Sequence, residues 1–238
     1  MKKTVNVFGA GLAGCEAAWQ AVRHGAHVTL YEMKPHKKSP AHHADTFAEL
    51  VCSNSLRSAD ITNGVGLLKE ELFRMGSIIM ESARKTQVAA GGALAVDRVL
   101  FSEYITDKIR SHPEIEIVER EMTEIPQDEI TVVATGPLTS DAMADYISNL
   151  IGGNSLHFFD AAAPIVDAES IDMSKAFYAT RYDKGSPDYI NCPMSEEQYH
   201  AFWEALIAAR GELEELAAAT PLPTFDESVA SADFVWHL

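Results

Sequence analysis

Thr4-Val5-Asn6-Val7-Phe8-Gly9-Ala10-Gly11-Leu12-Ala13-Gly14 begins almost at the N-terminus, and the reading of this stretch decides the fold. Thr4–Phe8 alternates in the β-branched style of a buried strand. The glycines follow in a GxGxxG arrangement, and Cys15–Arg23 is an Ala-rich helical stretch with Gly25 where a C-cap glycine belongs. A second apolar run, Ala26–Tyr31, closes on Glu32. Strand, glycine turn, helix, strand and acid follow one another within about 30 residues, which is a βαβ unit with its acid about 20 residues beyond the glycines. The expected fold class is therefore α/β, with a Rossmann-like region at the N-terminus.

The residue types suit a dinucleotide. Gly9 permits a tight turn, Gly11 lets the backbone approach a pyrophosphate, and Gly14 lets helix and sheet pack closely. The helix N-terminus adds about half a positive charge to hold the anion. Glu32 suits a ribose diol and disfavours a 2′-phosphate. The motif alone leaves FAD and NAD open. A later strand, Ile130–Ala134, runs into Thr135-Gly136-Pro137, and many flavoproteins with two dinucleotide folds close their FAD domain with such an ATG-like strand end, which favours FAD. The expected cofactor contacts are Gly9, Ala10, Gly11, Leu12, Ala13, Gly14, Glu32, Thr135 and Gly136.

Working outward, Met33–Asn63 is polar and irregular, with Pro35, Pro40 and a His42-His43 pair, and reads as a long functional loop with short helical pieces. Gly66–Arg84 has helical spacing, Gly91-Gly92 marks a turn, and Asp97–Ile109 reads as a helix. Ile115–Glu119 is a strand; Ser140–Leu150 and Glu196–Arg210 are helices; a strand is expected near Leu156–Asp160. Residues 1–140 are expected to form the FAD-binding region. Residues 141–238 form an incomplete second, substrate region with an acidic tail from about residue 211.

The 238 residues are 47% hydrophobic and 23% charged, which excludes a disordered chain, a collagen-like repeat and a disulfide-stapled miniprotein. A net charge of -16 argues, taken alone, against a nucleic-acid partner. The distribution reverses that for the first half: residues 1–110 carry 14 basic against 11 acidic side chains, and residues 111–238 carry 5 against 24. Cys15, Cys52 and Cys192 are too few and scattered for a disulfide framework or a zinc site, so no metal is expected, and a reducing, cytoplasmic compartment is the natural reading. No run approaches the roughly 18 apolar residues of a membrane span, so a soluble protein is expected. Oligomeric state is not legible.

Longer strings carry a resemblance. Val5–Gly14, Tyr31-Glu32-Met33, Pro40-Ala41-His42-His43, Glu49-Leu50-Val51-Cys52-Ser53-Asn54-Ser55-Leu56-Arg57, Gly91–Arg98, Ala134–Ser140 and Asn191-Cys192-Pro193-Met194 closely resemble the TrmFO (Gid) family, as far as about Arg210. The MnmG (GidA) family is near in chemistry, but the Cys52-Ser53-Asn54-Ser55 segment looks like TrmFO. The resemblance implies a folate- and FAD-dependent tRNA (uracil-5-)-methyltransferase making 5-methyluridine at position 54, in the T loop. In that reading 5,10-methylenetetrahydrofolate supplies the carbon, NAD(P)H reduces the flavin, and tRNA and folate are the partners.

Carbon 5 of uracil is a poor nucleophile, and a thiolate adding to carbon 6 turns it into an enolate. Cys52, in a polar segment with Arg57 and the His42-His43 pair near in sequence, is the expected catalytic thiol, engaging the flavin-bound methylene or the uracil. Cys15 and Cys192 read as packing. His42 and His43 are phosphate or flavin contacts, or loop residues; Arg57 and Arg98 are cofactor or tRNA phosphate contacts, or solvated surface. Lys34-Pro35-His36-Lys37-Lys38 reads as a solvated basic loop with some attraction for tRNA.

Members of the family are much longer. They carry a second cysteine in a Gly-Cys-Met/Leu-Pro-Ile-Glu-like string and a Gly-rich C-terminal return, neither of which is present, and Leu213–Leu238 matches nothing in them. The expectation is a truncated or frame-shifted member with an exposed flavin and an open sheet edge. The competing readings are a non-catalytic flavin-binding fragment and an NAD(P)H-dependent flavin oxidoreductase.

Overall fold

The computed structural model describes residues 2–152, 167–180 and 186–208. The strand expected near Leu156–Asp160 and the acidic tail lie outside the described residues. The chain divides into two compact units, one of residues 1–89 and 93–163, the other of residues 90–92 and 164–238.

The first unit is α/β and Rossmann-like. Strand β1 (Thr4–Phe8), helix α1 (Leu12–Arg23) and strand β2 (His27–Glu32) form the N-terminal βαβ unit. They are joined by β6 (Ile115–Glu119) and β7 (Thr131–Val133) in a parallel sheet of order β6-β2-β1-β7. Thr4 pairs His27, Val28 pairs Ile115 and Asn6 pairs Thr131. Parallel strands are buried by covering helices. Here α1 buries Gly14, Cys15, Ala18 and Val22. Val7, Val28 and Leu30 from the sheet share one core with these and with Phe101, Ile105 and Ile109 of α4 (Arg98–Arg110).

Between β2 and β6 lies a second sheet of order β3-β5-β4, antiparallel, from β3 (Ser55–Ser58), β4 (Gln87–Val88) and β5 (Ala93–Val96). The sequence reading missed all three strands, which are two to four residues long and pair only with each other. The expected helical pieces of residues 33–63 are absent; the regular element there is β3.

The single helix expected over Gly66–Arg84 is two, α2 (Gly64–Arg74) and α3 (Ile78–Lys85). Gly76 separates them at a φ of +77°. The polar face of α1 holds that break: Arg23 donates to the carbonyls of Met75 and Gly76 at 2.6 and 2.8 Å, and Glu16 accepts from Ser77 Oγ at 2.6 Å and from the Ile79 N–H at 3.2 Å. Asp97 caps α4 through the N–H groups of Val99 and Leu100, as its place before the helix suggests.

Glu81 of α3 joins the helices electrostatically. Burial alone pushes its carboxyl up, but hydrogen bonds from Tyr104, Lys108 and Lys85 outweigh that and hold it at about 2. A folded value below the unfolded one stabilises the protein above about pH 4.5, and that contribution is lost as pH falls towards 2. The carboxylate is half-buried and reached by solvent, so the pair energies are screened and small, about 1 kcal/mol for the network. Glu81→Gln is expected to lower the melting temperature by a few degrees at pH 7 and to flatten its acid limb between pH 4.5 and 2. An unchanged acid limb in thermal melts across that range would remove Glu81 from the stabilising groups.

Helix α5 (Asp141–Ile151) follows β7 and ends on Gly152 in the left-handed conformation. β7 is an edge strand among the described residues, with Val132 and Val133 more than a third exposed. In the second unit, β8 (Phe177–Ala179) pairs antiparallel with β9 (Tyr189–Asn191), and the turn at residues 90–92 is tied to β9 by the Tyr189 hydroxyl on the Ala90 carbonyl, 2.6 Å. Helix α6 (Glu196–Ala208) starts in a reciprocal capping box between Ser195 and Gln198.

Candidate functional site

β1 lies between β2 on one side and β7 on the other, so the sheet order changes direction at β1, and the space beyond the strand ends there is where open α/β sheets receive ligands. The two turns that leave β1 and β7 touch. A Cβ on Gly9, whose φ is +93°, would lie 2.7 Å from the Ala134 carbonyl oxygen. The Ala134 N–H in turn donates to the Phe8 carbonyl at 2.8 Å.

A cavity of about 600 Å³ opens at this place, entirely within the first unit. Of the residues singled out in the sequence, Gly9, Ala10, Gly11, Leu12, Ala13, Glu32, Cys52, Thr135 and Gly136 line it. Gly14 does not, because it is buried under the turn, where a Cβ would lie 1.7 Å from the Gly9 carbonyl oxygen. Its role is the close helix–sheet approach.

Gly11 is the N-cap of α1, without a side-chain cap and with no acid in the first turn. The first N–H groups of a helix have no intrahelical acceptor, and here they face a cavity. A Cβ built on Gly11 meets nothing within 4 Å, so the hydrogen atom of this glycine keeps open space at the helix end.

Glu32 is buried at the end of β2, accepting from the Ala10 N–H at 2.7 Å through Oε2 and from the Lys34 N–H at 3.0 Å through Oε1. Those bonds fix the carboxylate against the glycine turn, and each oxygen keeps a further lone pair. Lys34 is a correction to the sequence reading. It is not part of a solvated run; it is buried, donates to the Thr46 carbonyl and sits 3.7 Å from Glu49 Oε2. Lys37 and Lys38 of the same string are exposed and paired with Glu121 and Asp45.

Glu49 went unnoticed as a site residue, although it stands in the same string as Cys52. Its Oε1 accepts from the N–H groups of His43 and Ala44 at 3.0 and 3.1 Å, and its Oε2 is buried without a hydrogen-bond donor. A buried acceptor without a donor is costly, and this one belongs to a cavity wall. The residues present therefore fit a dinucleotide: a cradle that a Cβ would fill, a helix N-terminus without a cap, a buried acid at the end of β2 and an acceptor lacking its donor.

Cys52 is exposed and free on the wall of that cavity. Cys15 is different, fully buried with its thiol donating to the Ala10 carbonyl at 3.3 Å; burial first, then the Glu32 carboxylate, pushes this thiol far up, so it stays protonated. Cys192 is partly buried in the second unit. His42 lines the cavity, with Nδ1 2.6 Å from Ser39 Oγ; burial, and behind it the Lys34 ammonium, holds the imidazole below its ordinary range and so neutral at pH 7. Arg57 lines the cavity, whereas Arg98 starts α4 and does not. Arg120, 5.4 Å from the Tyr31 ring centre, also lines it; nothing in its local sequence singles it out. No group of His, Cys, Asp and Glu suited to a metal occurs among the described residues, and none of their helices is long and apolar enough to cross a membrane.

Comparison with known proteins settles the kinship of this arrangement. A family described as glucose inhibited division protein A matches residues 4–226, nearly the whole chain. The chain belongs to this family. Within curated members, it is 58% identical over 205 residues to the methylenetetrahydrofolate--tRNA-(uracil-5-)-methyltransferase TrmFO of Acetivibrio thermocellus, covering 86% of this chain and 47% of that one. The same-named proteins of Listeria monocytogenes and Lactococcus lactis are 58% identical over 209 and 210 residues, each covering 88% of this chain and 48% and 47% of their own. The chain thus spans about half the length of the curated family members it matches. A solved structure of Aquifex aeolicus GidA aligns with 53% of this chain and 21% of its own at a TM-score of 0.43 and 20% identity.

Proposed function

We propose that the cavity holds FAD and that the chain serves the methylenetetrahydrofolate-dependent methylation of uracil C5 in tRNA, forming 5-methyluridine at position 54 of the T loop. The observation that carries the reading is the convergence of the glycine turn, Glu32, the Thr135-Gly136 turn and the exposed Cys52 on one cavity. Relatives named for this reaction share 58% of the aligned residues. FAD, kept reduced by NAD(P)H, supplies the electrons that convert a methylene carbon to a methyl group.

The chain's own residues do the rest. The first-turn N–H groups of α1 hold the pyrophosphate beside Gly11, where no side chain stands in the way. Glu32, already fixed by Ala10 and Lys34, turns its free lone pairs to the ribose diol. Cys52, open to solvent, adds to carbon 6 of a uracil presented from outside, which activates carbon 5. Unstacking that base costs a few kcal/mol. The cavity-forming region falls within residues 1–140, the proposed FAD-binding domain, and residues 141–238 are the proposed start of a substrate region.

The test is to purify the chain, record its visible flavin absorbance, and follow label from methylenetetrahydrofolate into a T-loop RNA. Bound flavin and labelled RNA are expected. Flavin with NAD(P)H oxidation and unlabelled RNA would replace the methyltransferase by a flavin oxidoreductase; flavin alone would leave a binding region; absence of flavin would overturn the cofactor site.

Gly11→Ala gives a narrower check. A methyl group at this position touches no protein atom, so the change in unfolding free energy should stay within about 1 kcal/mol, the scale of an N-cap substitution. The methyl would narrow the open space at the helix end where the pyrophosphate would be held, so flavin affinity should fall tenfold or more. Equal flavin titrations for both proteins would move the pyrophosphate elsewhere.

A further inference from the structure

Among the described residues two non-glycine positions have a positive φ, Ala48 at 50° and Arg57 at 65°, and both line the cavity. A left-handed conformation at a residue with a Cβ costs about 1–2 kcal/mol, and such strain gathers at functional sites. Arg57 sits where the β3–β5 register shifts between Ser55 and Ser58, an irregularity of the kind that re-aims a side chain. Its N–H is held by Ser55 Oγ at 3.2 Å. The guanidinium is exposed, and among the described residues no carboxylate pairs with it.

Its charged neighbour is a second cation. Lys69 of α2 donates to the Ser58 carbonyl at 3.0 Å, which ties its ammonium to the same end of β3, and to the Val65 carbonyl at 3.3 Å. Burial, and after it the Arg57 charge, lowers the Lys69 pKa. Lys69 is thus tied to the carbonyl of the residue that follows Arg57, near enough for the Arg57 charge to act on it, and Arg57 holds its place at a conformational cost. An anion relieves both the repulsion and the idle guanidinium fork, whose geometry matches phosphate oxygens.

We propose that Arg57 and Lys69 form an anion-recognition site on the Cys52 side of the cavity, taking a backbone phosphate of the RNA whose uracil enters the cavity. The inference rests on the methyltransferase reading, and it adds the residues that position the RNA strand. Folate carboxylates offer related anionic oxygens, so the test separates the two sources.

Arg57→Gly removes the guanidinium and lets the backbone keep its φ without penalty; Arg57→Lys keeps the charge but not the fork. A T-arm RNA hairpin is titrated by fluorescence anisotropy over a salt series, with tetrahydrofolate titrated in parallel and thermal melts recorded. With Arg57→Gly, RNA binding should weaken about tenfold and the slope of log K against log salt should fall by about one, the signature of one lost phosphate contact. The melting temperature should not drop, and Arg57→Lys should recover part of the slope. Weaker tetrahydrofolate binding with an intact RNA slope would uphold the cation pair and assign it the folate carboxylates. Unchanged binding of both probes would overturn the proposal. A parent protein that binds flavin but no RNA would overturn the methyltransferase reading, leaving the tetrahydrofolate arm to decide the anion site; binding of neither probe would overturn both.

Discussion

Gly14→Ala is expected to destabilise the first unit by about 3 kcal/mol or more, the upper end of overpacking penalties. The added Cβ would lie 1.7 Å from the Gly9 carbonyl oxygen and 2.9 Å from its carbon, and backbone cannot swing aside as a flexible side chain can. Gly9 is itself pinned, its N–H donating to the Tyr31 carbonyl at 2.8 Å, and a Cβ of its own would meet Ala134. The clash is relieved only if α1 lifts from the sheet, which uncovers Cys15, Ala18 and Val22 on its buried face. Against a total stability of about 5–15 kcal/mol, that loss leaves a visibly less stable or unfolded chain. Urea unfolding of parent and variant decides it. A midpoint shift within error would mean that helix and turn are not packed this closely. The contrast with Gly11→Ala matters, since two glycines three residues apart are expected to fail in different ways, one in folding and one in binding.

Cys52→Ala is expected to abolish methyl transfer to RNA, a loss of several orders of magnitude, because Cys52 is the exposed thiol on the cavity wall. Cys15 is enclosed by the core and held protonated by burial and by Glu32. Cys52 is exposed, so its removal leaves no core cavity, and thermal melts should match the parent. Activation of carbon 5 depends on addition at carbon 6, and an alanine offers no nucleophile. The measurement is single-turnover transfer of label to T-loop RNA with each protein. Undiminished turnover by Cys52→Ala would take this residue out of the mechanism.

Legibility followed how local the cause was. Thr4–Phe8 and Ile115–Glu119 were read to the residue, because a short apolar run bounded by a turn signal is a property of the chain itself. Helix α4, expected over Asp97–Ile109, runs over Arg98–Arg110 with Asp97 as its cap, a difference of one residue at each end. The short strands of the second sheet were not legible, since Ser55–Ser58 and Gln87–Val88 have no apolar alternation and exist through pairing with Ala93–Val96. The division of Gly66–Arg84 was missed for a related reason: Gly76 is tolerated in a helix pattern, and it breaks the helix here because Arg23 and Glu16 of α1 bind the groups the break exposes.

In the site, the glycine turn and Glu32 were accessible from spacing, Thr135 and Gly136 through the likeness of their strand end to that of flavoproteins, and Cys52 through the longer strings that resemble a known family. What the sequence determined by itself is the βαβ start and the chemistry its residue types permit, because turn geometry, helix capping and strand periodicity act over a few neighbours. Tertiary structure alone decided that Gly14 packs while Gly11 faces open space, that Lys34 is buried against Glu49, and that Arg57 stands beside Lys69. Those outcomes depend on which distant segments the sheet order and the second sheet bring to one edge, and charge, burial and open space are properties of that meeting rather than of any one segment.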